Sequence, residues 1–91
     1  MKKYPQSHTF RGKRYKIRTV PNLSVDADAD APHTQNKTIR VHMGLPPLRE
    51  LEVILHESLH ACFWVLDESV ITQSAEDIAR FLWRLGYRKD D

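Results

Sequence analysis

The sequence predicts an α+β domain, in which a strand-rich first half precedes a helical second half. Three observations carry this. Two stretches alternate polar and apolar residues with period two. One long stretch repeats its apolar residues every three or four positions, and a shorter one of the same kind follows. The expected architecture is a small N-terminal antiparallel sheet, then a central helix, then a C-terminal helix. With 91 residues the chain fits a single domain spanning 1–91.

The elements follow in order. His8-Thr9-Phe10, a turn at Arg11-Gly12, and Lys13 to Val20 read as β structure, since Tyr15, Ile17 and Thr19 alternate with Lys16, Arg18 and Val20. Pro21-Asn22 ends that strand. Residues 22–36 read as a polar loop. Its Asp26, Asp28 and Asp30 resemble the start of a calcium loop, but Ala31 and Lys37 stand where that loop needs Gly and Glu, so a solvated loop is expected. Thr38 to Met43 is a second alternating strand, closed by Gly44 and Pro46-Pro47. A helix is expected from about Leu48 to Leu66, with Leu48, Leu51, Leu55, Leu59, Cys62 and Leu66 on one face. Asp67 to Thr72 read as a turn. Ser74 is then the expected N-cap of a second helix over about Ala75 to Leu85, with Gly86 closing it.

Composition excludes several classes. There are 14 Lys and Arg against 12 Asp and Glu, a formal charge of +2, which is too even to argue for nucleic acid. Basic residues cluster over the first twenty positions and again at Arg80, Arg84, Arg88 and Lys89, as expected of a solvated strand edge and a helix C-terminus. Cys62 is the single cysteine, so no intramolecular disulfide forms; a small core residue is expected there. The basic start lacks the apolar run of a signal peptide, and no stretch reaches the ~18 apolar residues that cross a bilayer. A soluble, cytoplasmic protein is expected.

The chemistry lies in the central helix, where Leu55-His56-Glu57-Ser58-Leu59-His60 contains a complete H-E-x-x-H. Histidines four apart stand on one helix face, and two ring nitrogens can then meet one zinc ion at about 2.0–2.1 Å. Glu57 lies about 100° round the helix, placed to take a proton from metal-activated water as general base. From the chain's own His and Glu usage, about 0.014 chance matches are expected. A catalytic zinc needs a third protein ligand. No His follows His60, and the alternative is a carboxylate from the next helix. Glu76, in the expected first turn of that helix, leads, with Asp77 as rival; Asp67 and Glu68 fall at the far end of the helix that carries the histidines. His42 and Tyr87 are candidates to stabilise an oxyanion, and Trp64 and Trp83 are expected to line the core or a cavity.

With these residues in view, the chain resembles a minimal gluzincin, a metallopeptidase whose H-E-x-x-H helix is followed by a glutamate ligand on a downstream helix. It is most similar to short metallopeptidase-like proteins of phage and prophage genomes. The likeness covers TIRVHMGL, LRELEVILHESLHACFWVL and SAEDIARFLWRLGY, from Thr38 to about Tyr87. It implies a zincin-like fold, zinc as cofactor, and His56, His60 and Glu76 as ligands. It further implies Glu57 as base, a peptide or protein substrate held at a sheet edge, and host cytoplasm if the chain is phage-encoded. The second lobe of larger gluzincins has no counterpart here. The alternative reading is therefore a weakly active or inactive metal-stabilised module that binds a protein partner. The sequence leaves the oligomeric state open.

Overall fold

A computed structural model describes residues 4–88. Four strands come first: β1 (Ser7–Phe10), β2 (Lys13–Val20), β3 (Ala27–Ala29) and β4 (Thr38–His42). Two helices follow, α1 (Pro47–Cys62) and α2 (Glu68–Arg84). The α+β class is as expected, with the strands all preceding the helices.

The sheet runs β1-β2-β4-β3. Arg11 (φ 49°) and Gly12 (φ 80°) join β1 to β2 through a two-residue turn with both φ positive, the conformation whose twist matches a hairpin. β1 pairs antiparallel with β2, and β3 with β4, but β2 and β4 are parallel, with Ile17 opposite Ile39 and Thr19 opposite Val41. The sheet is thus mixed rather than antiparallel. The cause is β3, which occupies part of the segment expected to be loop. Alternating aspartates have poor strand propensity, yet here each finds an arginine. Asp28 and Asp30 hold Arg40 at 2.7 and 2.6 Å, and Asp26 holds Arg49 at 2.8 Å. The small Ala27 and Ala29 meanwhile pack toward the core. The long return from β2 to β4, with β3 inside it, provides the crossover that a parallel pair requires.

Tyr15, Ile39, Val41, Val53 and Ala61 form the buried core between the sheet and α1. α2 packs on α1 and, among the described residues, on no strand, so the molecule has three layers with α1 in the middle. Ile71, Ala75 and Ala79 are the covered stripe of α2, each at most 1% exposed. The two alanines let the helix backbones approach closely.

Both helix boundaries differ from expectation. α1 stops at Cys62, where Phe63 leaves helical geometry (φ −136°, ψ 62°). α2 begins seven residues before the expected Ala75. Asp67 caps it, its Oδ1 accepting from the Ser69 amide at 3.0 Å and hydroxyl at 3.2 Å. Ser74, the expected cap, lies inside the helix. The β-branched run Val70-Ile71-Thr72 disfavours helix only weakly, and fully burying Ile71 against α1 outweighs that preference. Gly86 (φ 93°) ends α2 as expected. Its amide and that of Tyr87 donate to the Trp83 and Leu82 carbonyls, both at 3.0 Å, the paired bonds of a Schellman cap.

Candidate metal centre

His56 and His60 lie one turn apart on α1, with Nε2 atoms 3.1 Å apart. The chain leaves α1, turns through Phe63 to Asp67, and brings Glu68 back over them at the first residue of α2. Glu68 Oε1 is 2.9 Å from His56 Nε2, and Oε2 is 2.8 Å from His60 Nε2. Among the described residues these are the three groups whose ligand atoms converge, all within 4.8 Å of one another. Where both rings present their Nε2 lone pairs, three acceptors point at one spot, an arrangement that a cation relieves. Zinc bonds of 2.0–2.1 Å in a tetrahedron set donors roughly 3.3 Å apart. Two imidazoles and one carboxylate, converging within 4.8 Å, are the ligand types and number that a catalytic zinc site draws from the protein, so the set suits zinc.

Glu76 is not part of this cluster. It lies two turns further along α2, about 12 Å down the axis at 1.5 Å per residue, and is half-buried. The first turn of α2 lies over the histidines. The residue in that turn is Glu68, because α2 starts earlier and α1 ends sooner than the periodicity suggests. Asp77 is exposed and equally outside the cluster. The missed signal is Asp67-x-Ser69 as a cap, followed by Ile71, Ala75, Ala79 and Leu82 at helical spacing.

Glu57 is 7% exposed, the one charged residue among the buried ones described. Burial, and then the like charges of Asp28 and Glu68, push its carboxyl up to about 7. A carboxylate tuned to that range holds or releases a proton near neutral pH. Glu57 and the three convergent residues line an open cleft of ≈ 540 Å³. Ala27, Asp28 and Ala29 of β3 form one wall, and Trp64 and Leu66 of the α1–α2 connection form another. Trp64, just beyond the end of α1, has its ring centroid 6.0 Å from that of His60. It is therefore cavity wall, one of the two expected settings. Trp83 is half-buried on α2, with the Arg88 guanidinium 4.0 Å from its ring.

β3 is an edge strand. Hydrogen bonds from the His42 amide to the Asp26 carbonyl and from the Asp30 amide to the Thr38 carbonyl set the ladder phase. By alternation, the main-chain groups of Ala27 and Ala29 face away from β4. The other expected participants lie elsewhere. His42 Nδ1 is 2.7 Å from the Met43 carbonyl, Tyr87 is 65% exposed, and neither lines the cleft. The three aspartates are occupied by Arg40 and Arg49 rather than arranged as a calcium loop.

No family model, curated protein or solved structure matches the chain.

Proposed function

We propose that the protein is a zinc-dependent peptide hydrolase, a minimal gluzincin in which His56, His60 and Glu68 hold the metal and Glu57 is the general base. The observation that carries this is the convergence of three metal-ligand side chains beside a buried carboxylate in one open cleft. Bound zinc would supply Lewis acidity, acidifying a water and polarising the scissile carbonyl. Glu57 takes a proton from the attacking water and returns it to the leaving amine. Glu68, anchored at the capped start of α2, would complete the ligand set as its anionic member. The outward-facing main-chain groups of Ala27 and Ala29 suit an extended peptide laid along the sheet edge. No helix among the described residues is long and apolar enough to cross a membrane, and the proposed place of action is the cytoplasm.

One observation favours the second reading, a metal-stabilised protein-binding module with little turnover. Apart from the Trp64 indole N–H and the two histidines, the cleft lining offers no side-chain donor for a developing oxyanion. The deciding experiment measures zinc per chain by elemental analysis and then screens peptide libraries for cleavage, with Glu57→Gln as control. One zinc per chain with cleavage abolished in Glu57→Gln supports the hydrolase. One zinc without cleavage supports the binding module. A chain that takes up no zinc overturns both.

A further inference from the structure

α2 carries two apolar stripes, and the molecule covers one. Ile71, Ala75 and Ala79 meet α1. About a quarter turn away, Val70, Ile78, Phe81 and Leu85 are 43, 39, 61 and 57% exposed. With Ser74 they fall at spacings of four, four, three and four, a continuous ridge about 22 Å long at 1.5 Å per residue. Scattered exposed apolar residues need no explanation, but a ridge of this length on an outermost helix does. Its polar margin is ordered along the helix, with Asp77 first and Arg80 and Arg84 after it. Among the described residues none of these three makes an ion pair or a side-chain hydrogen bond within the chain, although Asp77 and Arg80 stand three residues apart.

We propose that this ridge is a self-association surface, on which the α2 of a second copy of the chain packs antiparallel about a twofold axis. A margin that reads acid then base along one helix complements itself when reversed, and reversal is what a twofold between two α2 helices imposes. The register that opposes Ile78 to Phe81 of the second copy sets Leu85 over the small Ser74. The same register brings Asp77 within one turn of Arg80 and Arg84 across the axis. A parallel pairing about a twofold would instead put the two charged margins on opposite sides of the seam, where neither meets its complement. One helix pair buries less than the ~800 Å² per partner of a standard interface, so dissociation in the micromolar range is expected.

The test is sedimentation equilibrium from about 1 to 200 µM with EDTA present, which removes association bridged by metal. The parent should approach twice the mass of one chain. Phe81→Asp, at an exposed position where the fold tolerates charge, should weaken association at least ~100-fold. Asp77→Arg and Arg84→Asp should each weaken it ~3- to 10-fold, and the double variant should restore it, since each reversal then meets its complement. A parent that stays monomeric at the highest concentration overturns the proposal, as does a dimer indifferent to Phe81→Asp. A monomer that floats with phosphatidylglycerol-containing vesicles assigns the ridge to lipid and overturns it equally.

Discussion

Glu68 touches both histidines of α1 at once, one carboxylate oxygen 2.9 Å from His56 Nε2 and the other 2.8 Å from His60 Nε2. It does so from the first residue of the following helix, while its side chain stays largely open to solvent on the outer side. Removing it deletes one of three donors without emptying the core. Glu68→Ala should therefore lower zinc affinity by ~100-fold or more while shifting the metal-free unfolding midpoint little. Glu76→Ala should leave affinity within ~2-fold of the parent. Competition titration against a chromogenic chelator measures both. Equal losses in the two variants would return the third ligand to Glu76.

The cap of α2 and the donor set are neighbours in sequence. Asp67→Ala removes the acceptor of the Ser69 amide and hydroxyl, which should cost about 1 kcal/mol of stability by urea denaturation. It should also weaken zinc binding ~3- to 10-fold, because the first turn that presents Glu68 frays. Asp67→Asn and Asp67→Ser, which can still cap, should recover most of both losses.

Trp64 reports on the cleft. With its ring 6.0 Å from that of His60, a paramagnetic or redox-active ion at the donors should quench its fluorescence. In a Trp83→Phe background, Co²⁺ or Cu²⁺ should quench emission saturably at one equivalent per chain. Zinc should reverse the Co²⁺ effect by competition, and Glu68→Ala should shift the Co²⁺ curve to higher concentration.

The strand edge carries a pH signature. Arg40, and then the Thr38 amide, hold the Asp30 carboxyl below the usual carboxylate range. A carboxylate whose folded-state value is depressed contributes stability above its unfolded value. That contribution fades as pH falls through the folded value. Asp30→Asn should thus cost about 1 kcal/mol at pH 7, since the pair is only half-buried. The cost should shrink from pH 7 toward acid, as the parent carboxyl takes up its proton below the usual carboxylate range. Denaturant titrations at neutral and acid pH test it.

What the sequence discloses, and what it hides, follows from where each signal is local. His56, Glu57 and His60 are legible because their spacing is a property of one helix, and Gly86 because only a positive-φ position wants it. The strands at Lys13–Val20 and Thr38–His42 announce themselves by alternation. β3 does not, since its aspartates suit a strand only once Arg40 and Arg49 are beside them, and that pairing spans up to twenty-three residues. The parallel β2–β4 pairing is equally invisible. The start of α2 is a competition between the weak propensity of Val70-Ile71-Thr72 and the burial of Ile71, decided by tertiary contact. That Glu68 rather than Glu76 stands beside the two histidines follows from that one boundary.

The five-residue connection from Phe63 to Asp67 has a consequence for how the molecule comes into being. All three donors fall between positions 56 and 68, so assembling them requires only a helical hairpin with short-range contacts. The sheet, in contrast, waits for β2 and β4 to find each other across the chain. Contacts of low sequence separation form first, so the hairpin can gather an ion before the strands have paired. A metal captured then would act as a template for the rest of the fold, and zinc supplied during refolding should accelerate it where zinc added afterwards cannot.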